Sequence, residues 1–126
     1  MLLYVLSAIV MLLLDAIYLT SIKKYFNKQI KSIQGTNIQF KFVPALITYI
    51  FLIFGINYFI IRKRRSIKDA AILGMVIYGV YEFTNLTLFK NWRLLTAFID
   101  TLWGTILFAL TAAIVYKIND FITKAM

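Results

Sequence analysis

Residues 2–22 read LLYVLSAIVMLLLDAIYLTSI, and this stretch decides the fold. It is long enough to cross a hydrocarbon core ~30 Å thick as a helix, for which ~20 apolar residues are needed. It lacks the strict polar–apolar alternation of a lumen-facing barrel strand. One ionisable residue, Asp15, lies deep inside it. A cleaved leader would carry basic residues ahead of the apolar stretch and a small-x-small site behind it. Neither is present before Lys23, so the run reads as a retained helix.

Working outward, three more runs of the same kind follow at 42–61, 70–88 and 95–116. The expected fold class is therefore all-α: a polytopic membrane protein, a bundle of four transmembrane helices forming one domain over residues 1–126. Composition agrees, since 62% of the residues are hydrophobic and 15% charged. A water-soluble domain of this size needs far more polar surface to cover its core. The first connection, from Lys23 to Lys41, is the longest. Ile22, Phe26, Ile30 and Ile33 recur there at helical spacing among Lys23, Lys24, Lys28 and Lys31. That pattern predicts a helix extension over 23–34 in the headgroup layer, ending near Gly35-Thr36-Asn37, with a solvated basic loop as the alternative. Pro44 falls in the first turn of the second helix, where a missing N–H is tolerated.

The net charge of +9 raises the question of nucleic acid. No basic stretch is interleaved with stacking aromatics in a nucleic-acid-binding pattern, and the charge sits in short segments beside apolar runs. The lipid bilayer is the expected partner, not nucleic acid. With no Cys and no His, thiolate nucleophiles, a Ser-His pair and the usual zinc sites are excluded. The 14 basic residues divide equally between the two membrane faces. The positive-inside rule therefore gives no net difference, and only the dense Arg62-Lys63-Arg64-Arg65 run favours both termini in the cytoplasm.

Three of the five acidic residues, Asp15, Glu82 and Asp100, lie inside apolar runs. Each costs on the order of 3 kcal/mol near mid-bilayer on insertion scales, so three in one small bundle require an account. With alternating helix directions, all three fall in the half of the membrane nearer the first and third loops. Helical spacing puts Ser7, Met11, Asp15 and Tyr18 on one face of helix one. It puts Gly74, Tyr78, Glu82 and Asn85 on one face of helix three, and Thr96, Asp100, Trp103, Gly104 and Thr111 on one face of helix four. Helix two offers Thr48 and Gly55. These stripes predict a polar pocket formed by Asp15, Tyr18, Tyr78, Glu82, Asn85, Asp100 and Trp103. The competing reading is that the acids only hold helices together, or that Lys90 or Arg93 pairs with Asp100. Trp92 is expected in an interfacial aromatic belt, and Trp103 on the inward face beside Asp100.

The segments Leu14-Asp15-Ala16-Ile17-Tyr18-Leu19, Tyr78 to Leu86 and Asp100-Thr101-Leu102-Trp103-Gly104 resemble domain-of-unknown-function family 2177, predicted membrane proteins found mainly in bacteria. That resemblance covers nearly the whole chain. It implies four helices and a signature of Asp15, Glu82, Thr84, Asn85, Asp100, Trp103 and Gly104, with Thr84 and Gly104 in structural roles. The family usually has Asp where this chain has Glu82, one methylene longer, which tells against a rigid metal geometry. The resemblance implies no activity.

Function is then read from the acids. First comes a small transporter or ligand-binding membrane protein that uses the carboxylate cluster on a small molecule or proton. A non-catalytic accessory or structural subunit comes second. A lipid-modifying enzyme is third, with Mg²⁺ on the acids and Asn85, and Lys90 and Arg93 on a phosphate. No Asp-x-x-Asp or similar diphosphate motif supports that last reading, so an enzyme is disfavoured and no metal or cofactor is assigned. A homo-oligomer is left open.

Overall fold

The computed structural model describes residues 1–125. Four helices follow one another: α1 (Leu2–Gln34), α2 (Phe42–Ile56, continued by a π-helical segment Asn57–Ile61), α3 (Ile67–Leu88) and α4 (Leu94–Ala125). All four are long and apolar enough to cross a membrane, and no strand occurs among the described residues. Large apolar side chains such as Leu13, Phe51, Val80 and Leu102 are exposed on every helix, as a lipid-facing surface requires.

Local chemistry sets the helix ends. The 23–34 segment continues α1 without a break, and Gly35 closes it in the left-handed conformation at φ 79°, its N–H bonding Lys31 O at 2.9 Å. At ~1.5 Å per residue, α1 spans about 50 Å, so its lysine-bearing turns extend beyond a ~30 Å core. Ser66 caps α3 by accepting from the Asp69 N–H at 3.0 Å. The π-helical segment starts at a buried polar residue. Asn57 Nδ2 bonds both the Ile53 carbonyl and Ser7 Oγ at 2.7 Å, drawing a buried amide toward α1. The backbone behind it widens to the Arg62 N–H···O=C Asn57 bond at 2.9 Å.

Neighbouring helices run antiparallel. The tightest seam is α3 on α4, where Gly74 meets the Gly104 carbonyl and the Tyr78 ring covers Gly104. Small residues allow such close backbone approach in membranes. α1 packs on the other side of α4, and α2 leans on α1. α2 and α3 are the flanking helices and do not pack closely on each other. The space between them bears on the site.

Candidate functional site

The site begins at one level of the α1–α4 contact. Asp15 and Tyr18 lie one turn apart on α1, and Asp100 and Trp103 lie one turn apart on α4. Because the helices are antiparallel, each acid meets the other helix's aromatic residue. Trp103 Nε1 donates to Asp15 Oδ1 at 2.9 Å, and the Tyr18 hydroxyl donates to Asp100 Oδ1 at 3.1 Å. The two rings stack with centroids 4.5 Å apart and planes within 4°. Two Asp-x-x-aromatic pairs thus form a reciprocal brace. Tyr49 of α2 donates a further hydrogen bond to Asp15 Oδ2.

Glu82 of α3 is fully buried beside Asp100. Trp92 Nε1 donates to its Oε1 at 2.8 Å, while the buried Oε2 has no N–H donor among the described residues and its carboxyl lies within hydrogen-bonding reach of that of Asp100. This corrects the reading of Trp92 as a belt residue. Only 6% of it is exposed, because the short connection after α3 folds back and offers its indole N–H to a carboxyl that needs a donor. Among the described residues no Lys or Arg pairs with Asp15, Glu82 or Asp100. The ion pairs among the described residues, Arg64–Asp120 and Arg65–Asp69, lie at the opposite face. Arg93 sits over the Tyr25 ring instead of reaching Asp100.

Beside the acids opens a cavity of about 490 Å³, whose walls include Asp15, Tyr18, Tyr78, Glu82 and Asp100. The other two residues expected there lie elsewhere. Trp103 stands behind the cavity, holding Asp15, and Asn85 is buried but does not line it. Thr84 is exposed on α3, and Gly104 belongs to the helix seam. Helix two contributes Thr48 to the cavity wall and, beyond the expectation, Tyr49 and Asn57. Gly55 meets nothing within 4 Å. Tyr49 and Asn57 lie eight residues apart, on one side of α2, so reading that stripe instead of the one through Thr48 and Gly55 would have found both. Gln29 was also missed: its Oε1 accepts from the Arg93 N–H at 2.9 Å and from Thr96 Oγ1 at 2.8 Å, tying α1 to the first turn of α4. Its place in a lysine-rich segment concealed it.

Chemically, the cluster offers acceptors held by neutral phenol and indole donors, in a space that a small molecule can occupy. Among the described residues no group of three acids is placed to hold a metal ion. Comparison with known proteins finds one family model, described as Predicted membrane protein (DUF2177), matching residues 1–117. No curated protein and no solved structure matches the chain.

Proposed function

The chain belongs to this family of predicted membrane proteins, and from that footing we propose that it is a small carrier or receptor that binds a cationic ligand at the Asp15–Glu82–Asp100 cluster in exchange for protons. One observation carries the reading: the buried Glu82 carboxyl, with no N–H donor for Oε2, lies within hydrogen-bonding reach of Asp100, and both residues line a cavity that Asp15 also lines and that has no basic side chain among its lining residues. A buried acceptor left unpaired costs about 1–3 kcal/mol, more if charged, and a bound proton or cation removes that cost. The dense Arg62-Lys63-Arg64-Arg65 run favours both termini in the cytoplasm, which would place the acid layer nearer the opposite face.

The test is proton release. Purified protein in nanodiscs, weakly buffered with a pH indicator, is exposed in turn to sodium, potassium, methylammonium and tetraphenylphosphonium. The proposal expects at least one to release protons saturably from the wild type and not from Glu82→Gln. Release by none, or equal release from the variant, refutes it.

A second reading has its own observation. Trp103–Asp15, Tyr49–Asp15 and Tyr18–Asp100 all join different helices. An accessory subunit that uses its acids as helix fasteners would show this too. It predicts that neutralising the acids lowers stability and that no cation releases protons.

A further inference from the structure

We propose that the acid cavity receives its ligand from the bilayer through the gap between α2 and α3, and that the ligand is an amphiphilic ammonium, an amine with N–H donors on a cationic head and a hydrocarbon tail. This rests on the ligand-binding reading above and adds to it the ligand's class and its route.

The route follows from the packing. α2 and α3 flank the α1–α4 pair without closing on each other. A groove of about 360 Å³ lies between them, lined by Thr48 and Leu52 of α2, Ile77, Tyr78 and Tyr81 of α3, and Asp100 of α4. All but Ile77 also line the larger acid cavity, so the two spaces adjoin. Thr48 and Tyr81 are exposed at the edge where lipid chains would lie, whereas Asp100 is only 8% exposed at the inner end. A molecule in this groove has its tail against apolar side chains and its head at the carboxylates.

The head group follows from charge and from donor count. Three acids without a basic partner disfavour phosphate and carboxylate heads, which would add like charge in a low-dielectric space. Glu82 Oε2 is fully buried with no N–H donor among the described residues, and its carboxyl lies within hydrogen-bonding reach of that of Asp100. A primary ammonium brings three donors to acceptors of this kind, and charge-assisted bonds of that type are the strong ones. A quaternary ammonium brings none. The rings of Tyr18, Tyr78 and Tyr81 would favour either cation, so the discrimination falls on the N–H groups.

The experiment measures saturable binding of radiolabelled dodecylamine to the full chain in phosphatidylcholine nanodiscs. The expected result is binding that Glu82→Gln weakens by about tenfold or more, the loss of one charge-assisted hydrogen bond. Dodecyltrimethylammonium should compete at least about tenfold less well on the same ground. Ile77→Trp fills the groove at the lining position that the acid cavity does not share, and should reduce binding severalfold. If Glu82→Gln fails to fold, Asp100→Asn serves as the neutralised variant. The proposal is overturned if butylammonium displaces the label as well as dodecylamine does and Ile77→Trp binds like the wild type. It is also overturned if dodecylamine shows no saturable binding. In either case, cation-induced proton release that depends on Glu82 would leave the ligand-binding reading standing, and its absence would remove both.

Discussion

Adding one methyl group at Gly74 should weaken the bundle, whereas the same change at Gly55 should not. A Cβ on Gly74 would lie 2.8 Å from Phe108 Cβ and 2.9 Å from the Gly104 carbonyl carbon, with the Gly104 oxygen closer still. Non-bonded carbons prefer about 3.5–4.0 Å, so the overlap is at least ~0.6 Å. It falls mainly on helix backbone and a Cβ, which cannot rotate away as a side-chain end could. α3 and α4 must therefore separate along their seam. Overpacking of this kind costs about 1–3 kcal/mol. Alanine's helix propensity returns up to ~1 kcal/mol of that. The net expectation for Gly74→Ala is a destabilisation of about 1–2 kcal/mol. Gly104→Ala should behave alike, since its Cβ would sit 2.6 Å from Tyr78 Cβ. At Gly55 a Cβ meets nothing within 4 Å, leaving only the propensity gain of up to ~1 kcal/mol. The two variants should thus move in opposite directions. Reversible unfolding in mixed micelles, followed by circular dichroism, measures this. Equal stabilities for Gly74→Ala and Gly55→Ala would refute the seam.

Other expectations concern the polar groups. Asp15→Leu and Trp103→Phe form a double-mutant cycle, and their coupling should reach ~0.6–1.7 kcal/mol, the range of interhelical hydrogen bonds in membranes, if the brace holds. Trp92→Phe removes the indole donor to the buried Glu82 Oε1 and should cost about 1–3 kcal/mol in the same unfolding assay, whereas a belt residue would tolerate the change. Gln29→Ala removes the acceptor for the Arg93 N–H and the Thr96 hydroxyl. It should cost about 1 kcal/mol and speed amide exchange in the first turn of α4.

The fold was legible because membrane spans are read from length and apolarity alone, and both signals are strong in LLYVLSAIVMLLLDAIYLTSI and the later runs. Helical spacing also placed Asp15 with Tyr18, and Asp100 with Trp103, on inward faces. What spacing could not give was pairing between helices. That Asp15 takes its donor from Trp103, and Asp100 from Tyr18, follows from the offset between two antiparallel helices, which the glycine seam and the Gln29 contacts help to set. Trp92 was misread for a related reason: an indole near a span's end has the same sequence signature whether it faces headgroups or folds inward. Tyr49 and Asn57 were passed over because their helix carries no charge, although a phenol or an amide is the donor a buried acid or hydroxyl needs.

The central claim is that the acids serve a ligand more than they serve the fold. It is tested most directly by measuring cation-induced proton release and unfolding free energy on the same preparation of Glu82→Gln. The account predicts that release disappears while stability stays level or rises, because an amide can still accept from Trp92 and no longer buries a carboxyl with an unpaired oxygen. Release that persists in the variant would contradict the account, as would stability that falls where the wild type itself releases nothing.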